Sequence, residues 1–279
     1  MSKKKLATLR LVECAIMVAF ATVLSVIKLA ELPYGGSVTI ASMIPIVIIA
    51  YRNGIGYGLL SALSYAVIQQ LLGVNTLLYF GQNWQSIVAV ILLDYILAFT
   101  VVGLGGVFRM KGKISQGKAL VLGTLLVCIL RYALHTIAGA TVWAGLSIPT
   151  EAALVYSIGY NATYMIPETI INVVAIAYLA GALDFTKAIP MRVVTAKGKA
   201  ASSGGRVLSL IATTLFTVGI IYDCIAIFPK MQDPESGSLT FAYLGEVNWL
   251  SVVIVSAVVV LIAIGVFIYT KYSKQRFKT

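Results

Sequence analysis

Six ionisable side chains stand inside long apolar stretches of this sequence: Glu13, Asp94, Arg131, His135, Glu168 and Asp223. Burying charge in hydrocarbon costs several kcal/mol, so such groups are functional candidates by default. Their spacing narrows the chemistry. Arg131, His135, Gly139 and Trp143 recur every four residues, which sets a cation, an imidazole, a gap and an indole along one helical face. Asn161, Glu168 and Asn172 form a second polar stripe, with Tyr156, Tyr160 and Tyr164 as a tyrosine ladder beside it. At 1.5 Å per residue, Asp94 lies roughly 15 Å below Trp84, and His135 roughly 12 Å below Trp143. The two groups can therefore face one cavity. Carboxylate, imidazole, amide and aromatic rings at similar depth suit a flat, polar, cationic small molecule. Each also has a structural reading. Tyr79, Trp84 and Trp143 can serve as an interfacial aromatic belt, and Arg131 can neutralise either Asp94 or Glu168.

These groups must be positioned by membrane helices. The chain has 279 residues, 59% hydrophobic and only 11% charged, with mean hydropathy +0.95. A soluble domain carries about 25% charged residues, which excludes a soluble enzyme, a disordered chain and a disulfide-stapled secreted domain. Eight apolar runs occur, at about 11–30, 38–51, 54–73, 85–108, 119–145, 151–183, 207–228 and 247–270. The second is short and contains Pro45, which predicts a kinked or incomplete helix. The sixth is too long to be a bilayer span alone, so its first part is expected outside the membrane.

The net charge of +11 is a topology signal. Of the 21 Lys and Arg residues, 18 fall in segments on one side of the runs, which places both termini in the cytoplasm. No nucleic-acid partner is needed to explain them. Cys14, Cys128 and Cys224 lack metal-ligand spacing and read as small core residues. No nucleotide-binding loop, zinc-protease motif or nucleophile elbow is present, so neither an enzyme nor a metal site is expected. The Gly/Ser/Lys stretch TAKGKAASSGGR, 195–206, marks a linker. The expected organisation is a six-helix unit over 1–190, a cytoplasmic linker over 191–206, and a two-helix appendage with a basic tail over 207–279.

LLDYILAF (92–99), GLGGVF (103–108), RYALHTIAGATVW (131–143) and YSIGYNATYMIPETI (156–170) resemble blocks of the thiamine-specific substrate-binding component, or S component, of energy-coupling factor (ECF) transporters. The resemblance runs to about Leu183. It implies an all-α membrane bundle of six helices with a thiamine pocket near the outer face, followed here by two further helices. It implies substrate contacts from Asp94 and Tyr95, from His135, Gly139 and Trp143, from Tyr156 and Asn161, and from Trp84. Arg131, Glu168 and Tyr164 are further pocket or structural polar groups. Where some members carry a tryptophan in the first outer loop, this chain reads PYGGSV (33–38). Ala15 and Ala19 match the family's small-residue motif for docking a transmembrane coupling subunit, which connects to two ATPase subunits. ATP would be used by those partners, and no cofactor is expected in this chain. The residues leave two alternatives open: an S component for a different vitamin or precursor, and a structural or signalling membrane protein.

Overall fold

The structure, a computed structural model, describes residues 3–32, 35–77, 84–111, 114–143, 151–193, 203–231, 233 and 240–276. It divides into two compact units, Met1–Met191 and Arg192–Thr279.

In the first unit α1 (Lys3–Val26) leads into a two-stranded antiparallel hairpin, β1 (Lys28–Glu31) and β2 (Ser37–Thr39). Then come α2 (Ile44–Asn53) and α3 (Ile55–Leu72). The fourth helix, α4, changes pitch along its length. It is α-helical over Trp84–Ala89, π-helical over Val90–Leu97, α-helical again over Ala98–Thr100 and 3-10 over Val101–Lys111. α5 (Gln116–Trp143) and the 32-residue α6 (Glu151–Ala182), with Pro167 inside it, complete the unit. In the second unit α7 (Ser203–Ile227) and α8 (Trp249–Arg276) pair as a hairpin. Asp223 accepts a 2.7 Å hydrogen bond from Ser256 across that pair, and a Cβ on Gly219 would lie 2.9 Å from Val259.

Seven of these helices are long and apolar enough to cross a bilayer. α2 is the exception. Pro45 sits in its first turn, where proline is tolerated, and Gly54 with φ 92° ends it. Ten residues reach only about 15 Å, so the second apolar run is half a span. Ile44 to Tyr51 are all buried, as expected of a helix that is apolar on every side. Thus α2 forms the centre of the unit, packed by α1, α3, α4 and α5. The GLGGVF block explains how closely. A Cβ on Gly106 would lie 2.1 Å from the Ala50 carbonyl oxygen, and one on Gly103 would lie 2.6 Å from that of Gly58. α4 therefore meets α2 and α3 backbone to backbone, which only small residues permit.

The basic end of the unit is tied by Arg52. Its guanidinium pairs with Glu13 of α1 and donates at 3.0 Å to the carbonyls of Phe185, Lys187 and Ala188. Glu13 also accepts from Asn53 at 3.1 Å. Glu13 is therefore a structural anchor far along α1 from the polar stripes. The three cysteines are buried. The stretch 195–206 falls largely outside the described residues, and α7 is already helical from Ser203.

Candidate ligand-binding cavity

A half-open cavity of about 580 Å³ lies between the hairpin and α1, α3, α4, α5 and α6. That volume falls in the usual range for small-molecule sites, about 300–1,000 Å³. Its wall is built from one buried chain of polar groups. The π segment of α4 presents Asp94 and Tyr95, and π turns occur frequently at functional sites. Asp94 Oδ1 lies 2.6 Å from His135 Nδ1. His135 Nε2 lies 3.3 Å from an Arg131 terminal nitrogen. The other terminal nitrogen of Arg131 donates at 3.2 Å to Glu168 Oε2 and contacts the Met43 sulfur at 2.9 Å. Glu168 Oε1 accepts at 2.7 Å from Thr39, which is 2.8 Å from Ser42. The chain thus connects α4, α5, α6, the hairpin and the entry to α2. Asp94 is its most accessible member, with 31% of its side chain exposed against 5% for Arg131 and 2% for Glu168.

Aromatic rings enclose the chain. Phe99 stands beneath the Arg131 guanidinium at 4.5 Å, a cation–π distance. Phe99 also meets His135 edge-to-face at 6.1 Å, and Tyr164 meets the other side of His135 at 6.2 Å. Tyr95 stacks near Phe99 and donates to the Gly73 carbonyl at 3.2 Å. On α6, Asn161 donates to Ser157 O at 2.8 Å and accepts from Tyr164, so its amide is oriented. Ser157 in turn donates to Thr136 O at 2.8 Å and fastens α6 to α5.

The hairpin covers part of this wall. Gly36 N–H donates to Tyr160 Oη at 3.0 Å. A Cβ on Gly36 would lie 2.8 Å from both Tyr160 and Tyr164, and Gly35 has φ 95°. Gly35 thus stands in the left-handed region that favours glycine, and a side chain at Gly36 would need Tyr160 and Tyr164 to shift. A bulky ring at Gly36 would displace the two tyrosines.

Asp94, Tyr95, His135, Gly139, Asn161, Arg131, Glu168 and Tyr164 all line the cavity. Arg131 pairs with Glu168, because His135 stands between it and Asp94. Tyr156 stacks on Tyr160 at 6.4 Å and is not itself among the lining residues. Trp84 stands apart: it is the first residue of α4, 70% exposed, and does not line the cavity. The side chain of Trp143 and all of Tyr79 lie outside the described residues. Ala15 and Ala19 are exposed on α1, beside the buried stripe of Cys14, Val18 and Ala21. Thr39, Ser42, Met43 and Phe99 were not singled out from sequence. The turn residues Gly35-Gly36 between two short runs were a signal for the hairpin. Nothing in periodicity marked Phe99 among the other apolar residues of its helix.

Lipid-length helices folded round a polar, aromatic-walled cavity define a multi-pass membrane protein that binds a small molecule. Residues 11–187 match the family model described as thiamine transporter protein, and the chain belongs to that family. It is 36% identical over 184 residues to the thiamine transporter ThiT of Bacillus subtilis (strain 168), covering 61% of this chain and 89% of that protein. A solved structure of ThiT from Listeria monocytogenes is similar over 62% of this chain and 94% of its own, at 24% identity and a TM-score of 0.49. The family match ends before α7.

Proposed function

We propose that this chain captures thiamine at the outer face of the cell membrane and delivers it inward as the substrate-binding S component of an ECF transporter. Membership of the thiamine transporter family supports the substrate class. The observation that carries the reading is Asp94: a carboxylate oriented by His135 at 2.6 Å, open to a cavity walled by Tyr95, Tyr160 and Tyr164. Thiamine has a permanently cationic thiazolium and a flat aminopyrimidine. A carboxylate in a site of low dielectric attracts the first, while aromatic faces and an oriented amide, Asn161, receive the second.

In this reading Asp94, Tyr95, His135, Gly139 and Asn161 contact thiamine, and Tyr156 acts behind the wall by stacking on Tyr160. Movement across the membrane requires partners, namely a transmembrane coupling subunit and two ATPase subunits. The exposed Ala15–Ala19 face of α1 allows the close helix approach that such docking needs. ATP hydrolysis belongs to the ATPase subunits, not to this chain. Equilibrium binding to purified protein tests the substrate: thiamine should bind with submicromolar affinity and riboflavin should not compete. Tighter binding of riboflavin than of thiamine would reassign the chain to another vitamin.

A further inference from the structure

The hydrogen-bond geometry of the buried chain constrains where the proton on His135 sits. A guanidinium has only donors. Nε2 of His135, facing Arg131 at 3.3 Å, must therefore present its lone pair. Nδ1 then carries the hydrogen and donates it to Asp94 at 2.6 Å. This arrangement uses both ring nitrogens with a single ring hydrogen. The groups packed round the ring from neighbouring helices are Asp94 and Phe99 of α4 and Tyr164 of α6, with Arg131 on its own helix. Arg131 is itself held by Glu168, by the Met43 sulfur and by the Phe99 ring.

The consequence is a charge count. The cavity is lined by two cations, Lys28 and Arg131, and three carboxylates, Glu31, Asp94 and Glu168. Lys28 pairs with Glu31 at the mouth, and Arg131 with Glu168 in the wall. With one hydrogen on the His135 ring, one negative charge remains among the described lining residues, on Asp94. A protonated His135 would cancel it. We infer that Arg131 and Glu168 are positioning residues: through His135 they fix its neutral, Nδ1-protonated form, and so leave Asp94 as one unmatched charge for a singly cationic ligand. This inference rests on the thiamine reading but is tested separately from it.

His135 is the sole histidine of the chain, so 15N-histidine labelling reports on it alone. In the wild type at neutral pH, the nitrogen spectrum should show a protonated Nδ1 and a bare Nε2. Arg131→Lys, which still donates, should preserve that pattern and keep thiamine affinity within about threefold. In Arg131→Met/Glu168→Gln, which avoids an unpaired buried carboxylate, the Nδ1-protonated form should no longer dominate. Its thiamine affinity should fall by about tenfold or more. Affinity for an uncharged isostere, with carbon in place of the thiazolium nitrogen, should change less than about threefold. An imidazolium or an Nε2-protonated ring in the wild type would overturn the inference. So would equal losses for thiamine and the uncharged isostere in the double variant. A wild type with the expected spectrum but no thiamine binding would refute the substrate reading and leave the assignment of His135 standing.

Discussion

Asp94→Asn isolates the charge of the site from its shape. Asparagine has the same size, and its carbonyl oxygen can still accept the Nδ1–H of His135, so the wall stays assembled. A monocation about 4.5 Å from a carboxylate gains about 4 kcal/mol at an effective dielectric constant of about 20. The Asp94 side chain is 31% exposed, and solvent and salt should roughly halve that gain, to about 2 kcal/mol. Thiamine affinity should therefore fall about 30-fold. Asp94→Ala should cost more, because it also leaves the His135 N–H without its partner, at about 1–3 kcal/mol. The assay is calorimetric titration of monodisperse protein at physiological ionic strength, with the uncharged isostere as a second ligand. For Asp94→Asn the isostere should bind as it does to wild type. An Asn variant within threefold of wild type for thiamine would refute the electrostatic argument. An equal loss for both ligands would show that Asp94 acts through shape or hydrogen bonding instead.

Three further outcomes follow from the geometry. Gly36→Val places a side chain where a Cβ already meets Tyr160 and Tyr164 at 2.8 Å; overpacking of about 1 kcal/mol or more should displace the hairpin, and stopped-flow measurement should show faster thiamine dissociation. Ala15→Trp enlarges the exposed face of α1 away from the cavity, so thiamine affinity should be unchanged while uptake by cells and co-purification of the coupling subunit are lost. The 1–199 fragment retains every cavity-lining residue and should bind thiamine within about threefold of the full chain, a range small beside a single lost charged contact; a large loss in a folded fragment would mean that α7 or α8 supports the site.

The polar chain was readable in outline because helical rise converts sequence spacing into depth. Estimates of roughly 15 Å and 12 Å put Asp94 and His135 at one level, and they meet at 2.6 Å. The partner of Arg131 was open between Asp94 and Glu168, since depth alone does not separate them. Packing separates them: His135, one turn along α5 from Arg131, occupies the space on the Asp94 side. The hairpin was legible only as the Gly35-Gly36 turn, for another reason. Hydropathy registers the length of apolar runs, and strands of four and three residues leave no mark beside 20-residue helices. The pitch of α4 was equally hidden: its 3-10 turns run through Gly103, Gly105 and Gly106, which press on α2 and α3, and its π turns lie ahead of them in the largely apolar run Val90–Leu97.

The short α2 and the cavity are two aspects of one arrangement. A helix of about 15 Å fills half of a hydrocarbon core of about 30 Å. The remaining half of the bundle centre is occupied by the cavity and by the hairpin over it, with Thr39 and Ser42 at the junction. Non-helical backbone at such depth is tolerated only where it is buried in protein or lines a water-filled space, and both strands of the hairpin border this one. The two ends of α2 then assign a side. Its C-terminal end carries Arg52 and meets Arg109 and Glu13, in the region where basic residues accumulate and which the charge bias places in the cytoplasm. Its N-terminal end adjoins the cavity. The cavity therefore opens toward the opposite, outer side, and a ligand bound there is separated from the cytoplasm by the fully buried turns of α2. Binding in this conformation gives capture without release. Passage inward would need the unit, α2 included, to move or open, and that is the step the proposed function gives to a coupling subunit.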